Sequence, residues 1–296
     1  MNKNLFSVAI IGCGLIGNKR ALSLGDRGLL KVCVDKDIDK AKKLASNFEA
    51  EFLDDHKPLL ERKDIDIVII STLHNSLAEL TRQFMLAGKH VLVEKPCARD
   101  LGELELLLKA SKESNSKVRV GFNHRFHRSV LKAKEIIEDG ELGELMFLRA
   151  RYGHGGRLGY DREWRSKPEL SGGGELIDQG SHLIDLSRLF LGEFSHADGL
   201  ASTFFWNMPV DDNAFMTLRT EQNKVAFLHA SCTEWKNLFS MEIYGKKGKL
   251  DLSGLGGSYG IEKITFYKML AEMGPPETRS WEYPTADVSW INEINA

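Results

Sequence analysis

Cysteine is scarce in this 296-residue chain. There are four, at positions 13, 33, 97 and 232, and no two of them form a CxxC pair. That scatter argues against a disulfide framework and a cysteine-built zinc site, and it is simplest in a reducing cytoplasm. An excess of one charge is also lacking. The chain has 40 Lys and Arg against 42 Asp and Glu, a formal net charge of −2, so no overall basic field marks a nucleic-acid partner. No apolar run is long enough to span a bilayer, and no membrane partner is expected. The opening MNKNLFSVAI runs straight into a strand-like segment, without the apolar core and small-residue cleavage site of a secretory signal. Internal repeats and low-complexity tracts are absent. What remains is 42% hydrophobic and 28% charged, ordinary for a globular protein, over a length that suits two domains.

The chemistry begins at the first strand. Residues 6–11 are apolar and lead directly into Gly12-Cys13-Gly14-Leu15-Ile16-Gly17 and a helix-like stretch. A second apolar run ends at Asp35, 18 residues after Gly17. Strand, glycine turn, helix, strand and acid in this order predict a dinucleotide site. Gly12 allows the tight turn, Gly14 lets backbone approach a pyrophosphate, and Gly17 lets helix pack on strand. The helix N-terminus, opened by Leu15 and Ile16, offers N–H groups to phosphate. Asp35 is placed to accept hydrogen bonds from the adenosine ribose and to repel a 2′-phosphate, which favours NAD over NADP. Lys36 follows it and softens that preference.

Residues 1–121 alternate strands (6–11, 30–34, 66–71, 90–94, 117–121) with helices (16–25, 37–47, 76–87, 100–114), each strand short and rich in Val and Ile. This is the pattern of a doubly wound parallel sheet buried on both faces. Asp37 and Asp100 read as helix N-caps and Gly88 as a C-cap. After Gly121 the pattern changes. A helix (127–139) precedes a strand (144–153), a Gly- and Arg-rich loop (155–173) and a helix (174–190). Alternating segments follow at 197–206, 213–220, 224–234, 238–244 and 248–252, with short turns. The expected organisation is an α/β Rossmann domain, 1–121, and an α+β domain, 122–296, with a mainly antiparallel sheet.

Two motifs stand at places where chemistry is expected. Glu94-Lys95-Pro96 follows strand 90–94 directly, and ligands of open α/β sheets bind beyond such strand ends. The proline there suggests a special turn with a cis peptide bond. Against function stands the plain reading of Lys95 as a solvated loop lysine. Asp178 and His182 lie four apart in helix 174–190 and share a face, with Asp185 continuing it. A carboxylate beside an imidazole suits proton transfer near neutral pH. As metal ligands they lack a third partner at suitable spacing, so no metal is expected. The structural alternative is a helix N-terminal acid and a core histidine. Thr72 and His74, after strand 66–71, fall beside the nicotinamide position. Asn123, His124 and Arg125, after strand 117–121, fall within reach of a substrate.

The glycine turn, Glu94-Lys95-Pro96 and Asp178-x-x-x-His182, in this order and at these separations, resemble the Gfo/Idh/MocA family of nicotinamide-dependent oxidoreductases. Gly121-Phe122-Asn123-His124-Arg125-Phe126 is similar to that family's domain junction. The resemblance implies a large open-faced sheet in the second domain, packing against another subunit in a homodimer or homotetramer. It implies that His182 takes the hydroxyl proton as hydride leaves, that Lys95 bonds the same oxygen, and that Asp178 binds substrate and sets the field of the other two. Family chains continue past 289–294 into a longer helix, so this chain is expected to stop short, inside that helix, at Ala296.

The segment Arg149 to Lys167 holds Arg149, Arg151, Arg157, Arg162 and Arg165 with Tyr152, His154, Tyr160 and Trp164. Arginines suit phosphate or carboxylate and aromatic faces suit sugars, which makes Tyr152, Trp164 and Arg165 substrate candidates. A solvated basic loop or a subunit contact is the alternative. Gly153, Gly155, Gly156 and Gly159 predict a mobile lid. The function expected is hydride transfer between NAD and a secondary alcohol or ketone of a sugar, nucleotide sugar or cyclic polyol. The competing readings are NAD-dependent redox-assisted glycoside hydrolysis and a catalytically inactive cofactor-binding regulator.

Overall fold

Runs of Val and Ile become the strands of the first sheet, and the alternation within each run decides which face each side chain buries. A computed structural model describes residues 5–296. One compact unit holds the described residues up to Phe122 together with Glu169–Gly172 and Trp290–Ala296. The other holds Asn123–Pro168 and Gly173–Ser289.

The first unit runs β1 (Phe6–Ile11), α1 (Leu15–Ser23), β2 (Gly28–Val34), α2 (Ile38–Ser46), β3 (Glu51–Leu53) and α3 (Lys57–Glu61). It continues with β4 (Ile67–Ile70), α4 (His74–Leu86), β5 (His90–Glu94), α5 (Leu101–Glu113) and β6 (Val118–Gly121). The strands form one parallel sheet in the order β3-β2-β1-β4-β5-β6. Ala9, Ile11, Val32, Val34, Val68 and Ile70 pack on one face with Leu77, Phe84 and Leu107 of α4 and α5. Val8, Ile10, Cys33 and Ile69 pack on the other with Ala21 and Leu44 of α1 and α2. Both faces are covered, as a parallel sheet requires. Asp100 caps α5 by accepting the Glu103 N–H at 2.9 Å. Asp37 occupies the N-cap position of α2 without a side-chain cap hydrogen bond. Gly88 takes the left-handed conformation, φ +78°, past the end of α4.

The second unit contains α6 (Arg128–Glu138), β7 (Leu145–Gly153), then past the short turn α7 (Pro168–Ser171) the helices α8 (Glu175–Asp178) and α9 (Gly180–Leu191). Strands β8 (His196–Ser202), β9 (Asn213–Arg219), β10 (Val225–Ser231), β11 (Leu238–Gly245), β12 (Gly248–Ser253), β13 (Glu262–Lys268) and β14 (Glu277–Tyr283) follow, then α10 (Ser289–Asn295); α7 beyond Pro168 and α10 beyond Ser289 belong to the first unit. Their order is β14-β13-β12-β11-β7-β10-β9-β8. Every pairing is antiparallel except β7 with β10. Leu148, Leu228, Met241, Leu250 and Phe266 point into one core with Val130 of α6 and Leu183 and Leu186 of α9.

Five elements were absent from the sequence reading: β3, α3, α7, β13 and β14. Helix 174–190 is interrupted at Gln179. Gly180 there comes close to β9: a Cβ on it would stand 3.2 Å from the Met216 Cε. Residues 203–206 leave the sheet after β8 because Asp212 draws the N–H groups of Phe204, Phe205 and Trp206 onto its carboxylate at 2.7–3.0 Å. Among the described residues all four cysteines are free, and no helix is long and apolar enough to cross a membrane.

Candidate active site

In the first unit the ends of β1 and β4 lie side by side, at the switch point where the strand order reverses. Gly12 follows β1 at φ +93°, and a Cβ there would sit 2.5 Å from the Ser71 carbonyl oxygen. A Cβ on Gly17 would fall 1.9 Å from the Gly12 carbonyl oxygen. No residue but glycine fits either place. Gly14 differs: a Cβ on it would meet nothing within 4 Å. That open space before the N-terminus of α1 is the room a pyrophosphate needs, and the site therefore fits a dinucleotide. Leu15 is 75% exposed at the helix start, and Ile16 beside it is half-buried. Asp35 ties the site together. Its Oδ2 accepts the Cys13 N–H at 2.8 Å and its Oδ1 accepts the Asp37 N–H at 2.9 Å. Lys36 is exposed.

Lys95 follows β5 and is half-buried, and its bond to Pro96 is cis. Glu94 before it turns inward, where Oε1 accepts the Arg20 Nε–H at 2.7 Å. Arg20 is fully buried and also reaches Glu293 Oε2 of α10 at 2.5 Å, under the ring of Trp290 at 4.6 Å. Glu94 is thus engaged in packing beneath the lysine. Thr72 Oγ1 accepts from Ser76 Oγ at 2.8 Å. His74 is buried with Nδ1 2.9 Å from the Ser171 carbonyl oxygen.

In the second unit Asp178 ends α8 and His182 sits in the first turn of α9, 6% and 4% exposed. The break at Gln179 lies between them. Asp178 Oδ2 accepts the Arg165 Nε–H at 3.0 Å, and the Arg165 guanidinium lies over the Trp164 ring at 4.6 Å. Burial works against the charge of Arg165, but Asp178, Tyr160 and Glu163 together raise its pKa. Tyr152 of β7 stands edge-on to His182 with ring centroids 5.9 Å apart. Burial, then the neighbouring Tyr259, Asp178 and Glu175, push the Tyr152 hydroxyl well above its usual range. It stays a neutral donor. Arg125, in the turn 123–126, pairs with Asp185, one turn beyond His182 on α9, through contacts of 2.7 and 2.5 Å. Asn123 is buried and donates to Ser289 Oγ at 2.9 Å.

The structure therefore gathers Tyr152, Trp164, Arg165, Asp178 and His182 within the second unit, with Arg125 joined through Asp185. It directs Asn123 to Ser289. Two further neighbours complete the set, of which only Glu175 escaped the sequence reading. His124, weighed there only as a loop residue within reach of a substrate, lies against His182 with ring centroids 3.7 Å apart. Glu175, 2% exposed, stands one turn before Asp178. Its spacing of three from Asp178 was the available signal.

Comparison with known proteins accords with this geometry. Residues 6–122 match the family described as "Oxidoreductase family, NAD-binding Rossmann fold". Residues 130–251 match the "GFO/IDH/MocA C-terminal domain". Levoglucosan dehydrogenase of Pseudarthrobacter phenanthrenivorans is 29% identical over 282 residues, covering 82% of this chain and 72% of the relative. Myo-inositol 2-dehydrogenase of Thermotoga maritima is 26% identical over 255 residues, covering 82% of this chain and 74% of the relative. A solved levoglucosan dehydrogenase in complex with NADH and levoglucosan superposes with a TM-score of 0.87 at 23% identity, over 98% of this chain and 88% of that one. The chain belongs to the Gfo/Idh/MocA family of oxidoreductases, with an NAD-binding Rossmann domain.

Proposed function

We propose that the chain is an NAD-dependent dehydrogenase of the cytoplasm that interconverts a secondary alcohol and a ketone on a sugar, nucleotide sugar or cyclic polyol. The observation that carries this reading is the buried set in the second unit. His182 is walled by Tyr152 and His124, and Asp178 is already charge-paired with Arg165. A general base needs such a sheltered, oriented imidazole. The bound nicotinamide supplies the hydride acceptor. A ring nitrogen of His182 takes the hydroxyl proton. The Lys95 ammonium bonds the same oxygen and stabilises its developing charge. Asp178 holds the substrate, and Trp164 and Tyr152 offer it apolar faces. The names of the relatives support a sugar or polyol. We also propose that the open face of the second sheet joins copies of the chain in a homodimer or homotetramer.

The test is NADH production at 340 nm on a panel containing levoglucosan, L-sorbose and myo-inositol. Wild type should form NADH from at least one sugar or polyol. His182→Ala should lower kcat by about 10²–10⁴-fold while leaving the Kd for NAD unchanged. A His182→Ala variant with full kcat would refute the role. Glycoside cleavage without net NADH would refute the dehydrogenase reading.

A further inference from the structure

Residues 154–167 carry the glycines from which the sequence predicts a mobile lid. The structure gives those glycines another use. A Cβ on Gly155 would stand 2.8 Å from the Trp235 carbonyl carbon. A Cβ on Gly156 would stand 2.3 Å from the Trp206 Cζ2. Gly153, the last residue of β7, would place one 2.2 Å from the Ser231 carbonyl oxygen. These three glycines permit close approach, not motion. Gly156 also takes the left-handed conformation at φ +64°, and Gly159, φ +87° with open space around it, is a turn glycine.

The segment also has a core of its own. Tyr160 is 3% exposed and packs with Cys232 and the partly buried Trp206. The Trp206 Nε1–H donates to the Cys232 carbonyl at 2.9 Å. Beneath it lies Glu175 of α8, whose Oε1 accepts from the Tyr160 hydroxyl at 2.9 Å and lies 3.6 Å from His154 Nε2. His154 Nδ1 accepts the Gly156 N–H at 3.0 Å, which puts the ring proton on Nε2, towards Glu175. Burial first, then the charge of Glu175, keep the Tyr160 hydroxyl protonated. One turn further along α8, Asp178 accepts from Arg165 of the same segment. The segment is thus fastened to both ends of one single-turn helix.

We propose that residues 154–167 form a fixed wall, with Glu175 and Tyr160 as positioning residues that hold Arg165 against Asp178. The consequence for catalysis rests on the role given to Asp178 above, but the fastening itself is testable without substrate. Tyr160→Phe removes one hydroxyl, and Glu175→Leu removes its acceptor. Glu175→Gln keeps an acceptor oxygen and should rescue. Two readouts apply. One is the rate of trypsin cleavage after Arg157 and Arg162. The other is the NMR signal of the Arg165 Nε–H, assigned by its absence in Arg165→Lys.

Wild type and Glu175→Gln should resist trypsin and show the Arg165 signal protected from exchange. Tyr160→Phe and Glu175→Leu should be cut about tenfold faster and lose that protection. Should Glu175→Leu fail to fold, Tyr160→Phe decides alone. Wild-type cleavage and an unchanged Arg165 signal in Tyr160→Phe would overturn the proposal. Failure of the catalytic reading would instead appear as full kcat in His182→Ala, with the wall intact.

Discussion

Asp35 has one task in the fold, holding backbone, and one proposed task, holding the adenosine ribose. Both oxygens hold backbone N–H groups, those of Cys13 and Asp37. Each oxygen keeps a second lone pair for a ribose hydroxyl. The same charge opposes a 2′-phosphate, so wild type should bind NAD at least about tenfold tighter than NADP, a difference of about 1.4 kcal/mol. Asp35→Ser should narrow that ratio. It should also cost about 1–3 kcal/mol of stability, because the Cys13 N–H loses a charged acceptor. Titration of both cofactors against both proteins, with urea melts alongside, checks the two effects separately. Tighter binding of NADP to wild type would sink the assignment. The proposed ribose role rests on the sequence, because strand, turn and acid have fixed spacing. The backbone role was not legible there, because spacing does not say which N–H groups an acid faces. Glycines carry the same lesson. Gly12 and Gly17 were read correctly because the turn dictates their geometry. The close approaches of Gly155 and Gly156, taken in the sequence with Gly153 and Gly159 as marks of a mobile lid, were not legible because their neighbours, Trp235 and Trp206, lie far along the chain.

Among elements, α10 shows what sequence patterns cannot reach. The parallel strands were legible because each is a short Val- and Ile-rich run buried on both faces. β14 was not, since an exposed edge strand reading Glu277-Thr278-Arg279-Ser280 has no apolar run to betray it. The parallel pairing of β7 with β10 is equally silent, because alternation gives the face of a strand and not its neighbour. Arg20 reads as a surface residue of α1, yet it is fully buried. Its partners, Glu94 and Glu293, lie 74 and 273 residues away. Two buried carboxylates share this one guanidinium. Burial raises the pKa of Glu293 more than Arg20 lowers it. A folded pKa above the unfolded one means that the folded state gains a proton first as pH falls. Acidification through that window therefore favours docking of α10, and neutral pH works against it. Glu293→Gln, which mimics the protonated acid, should cost little at neutral pH and flatten the pH dependence. Arg20→Met leaves two unpaired buried carboxylates and should cost about 3–5 kcal/mol. Urea unfolding of the three proteins, followed from neutral to mildly acidic pH, separates them. Equal losses in both variants would contradict this account.

For the molecule as a whole, the exposed face of the second sheet bears on the proposed self-association. Strand alternation sends Leu148, Leu228, Met216 and Ile243 into the core. It sends Phe147, Phe215, Phe227 and Tyr244 to the opposite face. There Phe147 stacks on Tyr244 at 4.4 Å and Phe215 on His229 at 4.2 Å. Phe227 is 51% exposed and Leu200 58%. Arg149 and Glu242 pair beside them at 2.7 Å. Aromatic side chains interleaved with paired charges have the composition of an interface, where desolvated aromatics supply most of the energy. Phe227 lies on β10, next to β7 and β9, with two or more strands on each side of it. Losing an aromatic anchor from such a central place typically costs about 2 kcal/mol or more, roughly a 30-fold rise in Kd. Phe227→Asp should therefore shift a wild-type dimer or tetramer towards monomer, without changing the NAD affinity of the first unit. Sedimentation velocity over a range of concentrations measures the shift. The expected result is one assembled species for wild type and a concentration-dependent mixture for the variant. A wild type that stays monomeric at the highest concentration would end the proposal, and so would an assembly that tolerates Asp at 227. The second outcome would move the contact elsewhere, because an interface centred on Phe227 cannot lose that aromatic anchor without a measurable loss of affinity.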